Sequence, residues 1–487
     1  MKSHRILLIT TLTLLIATSL CELQAQSGHY WTNQYGTRSM LLSGSVIGGV
    51  EDLGAVFYNP ARLSQTDNPA FLISADVYEW QRLSIENAVG QSADAKRSSF
   101  GGVPSMAAGT FNLGFLPNHQ FAYAVLLRQK GGLNFGYREE FSGDIIESFP
   151  GEEVFEGQIS INSSTKDEWF GLSWSHALND VISLGASGFL SINNTSNSTD
   201  IRLRALSEAG SVAIYDFNRN IGYETFGLIY KLGAAFQFDN SSWGITLTTP
   251  RINLKGDGNY RYQLYFSGIE GQTAEDTYGN SYQSGIKLKY KSPWALGLGS
   301  SFKIGANQMH ISAEYFTGIP QYRMMQVAGH AIQSNPDTVI NYSLVESARG
   351  VLNAGIGFEW FLNEKISAYT SFSTDFSSVR NDAVGFVQLE QTSNNSTIRA
   401  DYYNMGGGIV LTLKGADITL GATYLGAKQN FNRPVDMPEE GDDGIFDQDE
   451  TGTLKWRRWR FVFSFSVPFF KDYAKKLEDK YLKKDSN

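Results

Sequence analysis

A histidine, a serine and a glutamate occupy alternate positions of one extended stretch, His310, Ser312 and Glu314 in the run MHISAEYF. Every second side chain of a β-strand shares a face, so these three project together, and Glu359 takes a same-sided position on another such stretch. Base, hydroxyl and carboxylate are ingredients of acyl transfer, but that chemistry needs a serine held by the histidine. No spacing sets a nucleophile beside a base, and the six histidines include no HExxH. The expectation is no enzyme; His310, Glu314 and Glu359 read as polar groups of a lumen, or as anchors for something packed inside it. Asp447, Asp449, Thr451 and Gly452 match the first, third, fifth and sixth positions of a calcium loop, but Arg458 stands where the bidentate glutamate belongs. An acidic solvated loop is the better reading, and neither metal nor other cofactor is expected.

The elements that position these residues begin after a leader. Lys2 and Arg5 precede an apolar run from Ile6 to Leu20, and Leu-Gln-Ala ends at Ala25, so residues 1–25 read as a secretory signal peptide. A lipoprotein anchor at Cys21 is the lesser alternative, because Leu20 sits where a small residue is wanted. Cys21 is the only cysteine, so cleavage leaves no thiol for disulfides, metal binding or nucleophilic attack. Removing Lys2, Arg5 and Glu22 leaves 38 basic and 48 acidic residues, a net charge of −10 that argues against a nucleic-acid partner. No later run approaches the ~18 apolar residues of a membrane helix, so any span must be made of strands.

Strands are abundant. VISLGASGFLSI, WALGLGSSFK, DITLGATYL and WRFVFSFSVPFF each alternate large apolar with small or polar residues. Lipid on one face and a wet lumen on the other explain about ten residues of such alternation. Six hairpins follow: 103–116 with 119–130, 167–178 with 181–192, 221–238 with 242–254, 293–304 with 308–318, 351–362 with 366–377, and 402–414 with 417–427. Single strands at 70–82 and 456–470 close the set at fourteen. The fold expected is all-β, a 14-stranded antiparallel transmembrane β-barrel over residues 69–470, with short turns at one end. Long polar loops at the other end are expected over 131–166, 193–220, 255–292 and 319–350, among others. So wide a barrel leaves a lumen that water or a plug must fill.

Residues 26–68 are not needed for closure, yet they carry Met40, Leu41, Leu42, Val46, Val50, Leu53, Val56 and Tyr58. Each would cost roughly 1.5–3 kcal/mol if left in water. The segment reads as an N-terminal plug inside the lumen, with Asn59 expected to bond its own backbone in an Asx turn.

Here the residues resemble a family. Asp52, Gly54, Asn59, Pro60 and Ala61 have the spacing D-x-G-x(4)-N-P-A found in the FadL/TodX outer-membrane transporters of hydrophobic compounds, and Arg38, in Gly36–Ser39, is similar to that family's Gly-x-Arg element. PWALGLGSSFKIG and HISAEY look like one of its late hairpins. The resemblance implies passive uptake of a hydrophobic small molecule, such as a long-chain fatty acid or an aromatic or aliphatic hydrocarbon, gated by movement of the plug. It also implies a monomer in the Gram-negative outer membrane, among lipid and lipopolysaccharide, with both termini periplasmic. Release sideways through the wall would need a gap, for which Pro104, Gly131 and Gly132 are candidates. Residues 471–487 form a charged tail with i,i+4 pairs, readable as a periplasmic helix that meets a partner. Two rivals remain: a barrel of the same superfamily serving type IX secretion as cargo shuttle or structural partner, and a general porin.

Overall fold

The computed structural model describes residues 28–65, 71–73, 77–87, 94–102, 105–111, 113, 115–116, 118–144, 146, 149–268, 276–380, 391–393, 399–413, 416–432 and 451–466. The leader, Pro104, Asp447, Asp449 and the tail fall outside them.

Alternating sequence becomes a continuous wall. It starts with β1 (Phe71–Ile73) and β2 (Val77–Glu86), returns as β3 (Ala95–Gly102) and β4 (Met106–Phe111), and continues through β5 (His119–Gly143), β6 (Glu153–Ala177), β7 (Ile182–Ser207) and β8 (Val212–Gln237). Next come β9 (Ser241–Thr248), β10 (Ile252–Ser267), β11 (Thr277–Lys287), β12 (Ala295–Ile304) and β13 (Asn307–Phe316). Short strands β14 (Ile319–Gln326), β15 (His330–Ile332), β16 (Asn335–Ile340) and β17 (Ser343–Ala348) leave the wall, which resumes as β18 (Val351–Asn363) and β19 (Ile366–Asp375). After β20 (Gln391–Ser393), β21 (Tyr402–Leu413), β22 (Ala416–Asn432) and β23 (Thr451–Ser466) complete it.

Four pairs of these, β1 with β2, β3 with β4, β9 with β10 and β11 with β12, are successive parts of one wall strand, so the sheet's eighteen strands make fourteen. β2 bonds β3 on one side and β23 on the other, with Tyr78 opposite both Gly102 and Phe461. The last strand thus lies beside the first and the sheet closes on itself, as an exposed apolar wall requires. Outward residues near the short-turn end form that wall: Tyr123, Phe170, Leu172, Leu184, Leu232, Ile245, Leu296, Ile311, Leu352, Phe372 and Leu420 are all exposed.

Three expected loops are instead strand. Positions 131–166, 193–220 and 255–292 mostly extend β5, β6, β7, β8, β10 and β11 beyond the apolar belt. The hydrophobic phase inverts along each strand. On β6 the outward Phe170 and Leu172 give way to inward Ile159 and Ile161, both buried, and on β7 Ile201, Leu203 and Ala205 also turn inward. Inward apolar residues of this collar form a core with Phe217, Tyr260, Tyr262, Met324, Met325, Tyr342 and Leu344, so β14 and β17 pack inside it. Water outside and a core inside is the pattern of a soluble sheet, which is why it escaped a search for lipid-facing alternation.

Candidate functional site

The N-terminal segment sits in the lumen at the short-turn end. It folds through a helical turn at Thr37–Leu41, another at Ala55–Tyr58 and a 3₁₀ turn at Pro60–Gln65. Met40, Leu41, Leu42, Val46, Val50, Leu53, Val56 and Leu63 are buried together with the wall residues Met106, Ala108, Leu126, Trp169, Phe189 and Ile229.

Asp52 organises this turn-rich segment. Its carboxylate accepts from Ser39 N–H, Ser39 Oγ and Gly54 N–H, each at 2.9 Å. Burial pushes the Asp52 carboxyl up, outweighing the pull of those donors and of Arg38. Gly36 has φ +79°, and a Cβ there would lie 2.3 Å from Asp52 Oδ1. Left-handed backbone and close approach both demand glycine at that position.

Asn59-Pro60-Ala61 is the docking point. Asn59 Oδ1 accepts from Ala61 N–H at 3.2 Å, the expected Asx turn, while Asn59 Nδ2 donates to Ile47 O at 3.0 Å and to the wall at Ala234 O at 3.1 Å. Ser175 and Ser183 donate to Ala61 O at 2.9 and 2.8 Å. Three inward glycines make the seat flat: a Cβ on Gly185 would lie 2.4 Å from Ala61 N, one on Gly233 2.2 Å from Asn59 Oδ1, and one on Gly244 2.2 Å from Ile47 O. The small residues expected to face a wet lumen face a packed plug here. Sequence reasoning named the motif and missed its receptor, because glycine in a strand reads only as a weak ladder position.

The lumen polar residues also hold the plug. Glu314 accepts from Trp31 Nε1 at 2.8 Å and from Lys231 at 3.3 Å, all three buried. Arg38 donates to Glu51 and Glu359, and Glu359 also accepts from Tyr369 OH at 2.8 Å. Ser301 Oγ lies 2.6 Å from His310 Nδ1, with Glu359 4.0 Å from His310 Nε2. That pairing of a hydroxyl with an imidazole is one the sequence did not reveal. Its chemistry is blocked by packing: Ser301 is 1% exposed, and a Cβ on Gly49 of the plug would lie 2.0 Å from its Oγ. Asp375, also missed, accepts from the Tyr30 and Trp31 amides at 2.9 Å and from Thr32 Oγ1 at 2.6 Å, fixing the start of the plug.

Above the plug lies a cavity of about 500 Å³. Its floor is His29, Thr32 and Asn33, and its walls include Glu79, Gln81, Ser99, Arg128, Lys130, Gly131, Ser163, Thr165, Thr195, Tyr402, Trp456 and Arg458. Gly131 and Gly132 pair with Thr165 and Ser164 of β6, so the ladder is intact on that side. On the other side the β4–β5 ladder runs from Phe111↔Phe121 to Met106↔Leu126, with Leu127 N–H donating to Ser105 O at 2.9 Å just beyond it, and among the described residues no ladder pair joins β3 to β5. The wall is therefore interrupted between β3 and the Gly131–Gly132 part of β5, next to the cavity. Arg128, the bulge residue of β5, donates to Tyr30 O at 2.7 Å and lies over Phe57 and Trp169.

No family model and no curated protein matches the sequence. Among solved structures, a FadL homologue from Pseudomonas aeruginosa superposes with a TM-score of 0.50 at 12% identity, over 92% of this chain and 100% of that one. The TodX monoaromatic hydrocarbon channel, as a deltaS2 mutant, gives 0.50 at 13% identity, over 89% and 98%. The chain has the FadL/TodX fold. In this chain the plug precedes the first wall strand, and Asp52, Asn59 and Arg38 make contacts within it and to the wall. The second neighbour is named as a monoaromatic hydrocarbon channel and the first as a FadL homologue.

Proposed function

We propose that this protein is an outer-membrane channel for passive uptake of small hydrophobic molecules, gated by movement of residues 26–68. The observation that carries this reading is the cavity of about 500 Å³ stacked above a fully packed plug and beside a break in the wall. An aqueous pore would need an open lumen; here the lower lumen is closed by buried apolar side chains. A solute entering from the collar reaches the cavity, and it can proceed only if the plug shifts or the wall parts.

The cavity lining narrows the solute. Arg128, Lys130 and Arg458 outnumber Glu79, which Arg460 engages at 2.8 Å; Arg128 and Arg458 also donate to the plug at Tyr30 O and Thr32 O, and hydroxyls and amides share the lining with a larger apolar surface. A bare hydrocarbon would strip water from these groups without replacing its hydrogen bonds, at roughly 1–3 kcal/mol for each group left unpaired. A molecule with an apolar tail and an anionic head, such as a long-chain fatty acid, satisfies them. Mass spectrometry of gently purified protein is expected to find a carboxylate-headed lipid; a purely hydrocarbon ligand would reverse the choice.

Deleting Ser27–Tyr58 tests the gate. The barrel should still fold and pass small ions in a planar bilayer, whereas the intact protein stays closed; a sealed deletion variant would rule the segment out as the stopper.

The collar favours a second reading, a partner-binding role of the secretion-associated kind. Val154, Leu206 and Val212 lie side by side on its outer face, each about half exposed and far from the apolar belt. A protein recovered in fixed ratio with the native barrel, and lost when these three become serine, would establish it.

A further inference from the structure

The outer face of the wall carries two pairs of like charges set directly opposite one another. Arg82 of β2 faces Arg457 of β23, and Lys455 of β23 faces Lys428 of β22. Opposed residues on one face of an antiparallel pair hold their Cβ atoms about 4.5–5.5 Å apart, and like charges placed so repel. Arg82, Arg457 and Lys428 are all exposed on the outside of the barrel.

Carboxylates answer only part of this group. Lys455 donates to Glu86 at 2.6 and 2.7 Å, and Lys96 of β3, in the same row, to Asp94 at 3.0 Å. Among the described residues no carboxylate pairs with Arg82, Arg457 or Lys428. Elsewhere on the outer face the sheet supplies its own anions: Lys166 meets Glu168 at 2.8 Å, Arg138 meets Glu156 at 3.2 Å, and Lys255 and Lys287 share Asp257 at 2.7 and 2.9 Å.

The ladder also fixes what lies beneath the cations. Two residues along the strands, about 7 Å nearer the short turns, Trp80 and Trp459 face each other. Phe100 flanks them on one side and Tyr424 on the other, its ring centroid 4.9 Å from that of Trp459. Tyr78, stacked on Phe100 at 5.8 Å, and Phe461 form the next row. Tryptophan and tyrosine rings of a membrane barrel sit at the level of lipid headgroups, so the row just above them faces the phosphates of the leaflet.

We infer that Arg82, Arg457 and Lys428 form a binding site for the phosphate of a membrane lipid, whose acyl chains lie down the wall along Trp80, Phe100, Trp459 and Phe461. Two guanidiniums opposed across a ladder offer forked donors to two sides of one phosphate, and the anion between them turns repulsion into attraction. Hydrocarbon next to the site strengthens that attraction by lowering the local dielectric. An acidic protein segment would satisfy the charges but leave the rings below unused. The site requires only that this wall meets a membrane, whatever passes through the lumen.

The full chain in detergent, titrated with diphosphoryl lipid A and read by native mass spectrometry, tests this. Wild type should bind the lipid, and the double variant Arg82→Gln, Arg457→Gln at least tenfold more weakly; no binding by wild type, or equal binding by both, overturns the site. Without lipid the double variant should unfold at the same temperature as wild type or above it, because a repulsion has gone, and a lower midpoint overturns the premise. Inorganic phosphate at the lipid's concentration should displace nothing from wild type; displacement would make this a free-anion site and overturn the lipid assignment. Independently of any variant, cryo-electron microscopy of the unaltered barrel in nanodiscs containing lipid A should show a phosphate between Arg82 and Arg457. Ordered headgroups elsewhere on the wall with none there would overturn the inference.

Discussion

β7 lines two unlike interiors with one kind of sequence. Near the short turns its inward Ser183 and Ser187 each donate at 2.8 Å to plug carbonyls, Ala61 O and Val56 O, and Gly185 lies against the plug backbone. Higher up, beside the open cavity, inward Thr195 donates to Asn193 Oδ1 and lies 3.2 Å from the Thr165 hydroxyl of β6, while Asn197 accepts from the Ser163 hydroxyl. Small and polar residues alternating with lipid-facing ones therefore do not specify a wet lumen. They specify a surface low enough to accept either water or another backbone, and the plug decides which.

The contrast can be broken most severely at the buried ion pair. Glu314→Leu leaves Lys231 charged and unpaired against the plug, and should lower the stability of the purified barrel by about 3–5 kcal/mol in a denaturant titration. Adding Lys231→Met should recover most of that loss; if the double variant is no better than the single, the pair is not what matters.

Next in size is the hub. Asp52→Ala removes the acceptor of three donors and is expected to cost about 2–3 kcal/mol, read as a lower midpoint of heat-modifiability together with small ion leaks in planar bilayers. The seat should respond with about 1–3 kcal/mol: Gly185→Leu pushes into Ala61, and channel openings should appear where wild type shows none. Smallest of all, Ser163→Ala above the plug should stay within about 0.5 kcal/mol of wild-type stability, shifting ligand affinity alone. Equal effects from Gly185→Leu and Ser163→Ala would erase the distinction between the two halves.

Most of the wall was legible in the sequence. Each stretch paired in advance contains an observed strand, because lipid-facing residues such as Phe170 and Leu172 or Leu296 and Leu298 impose a period of two that no helix shares. The collar was not legible as strand: Gln158, Ile159, Ser160 and Ile161 alternate in the opposite phase, and residues 193–200 carry almost no large apolar side chain, so both read as polar loop. At the site, Asp52 and Asn59 stood out by spacing. Asp375, Lys231 and the glycine seat did not, since their roles depend on partners as much as 345 residues away in the chain. The Ser301–His310 contact joins neighbouring strands across a tight turn, and its register became plain only once β12 and β13 were aligned, with Ser301 opposite His310.

The inverted upper strands have a consequence for how the mouth of the barrel is approached. On β6 the stretch from Glu153 to Asp167 stands clear of the hydrocarbon; at ~3.3 Å per residue and a tilt near 40–45° it rises roughly 35 Å. In the channel proposed above, a molecule entering from the collar therefore passes charged Glu153 beside the apolar trio Val154, Leu206 and Val212 well before it reaches the apolar belt.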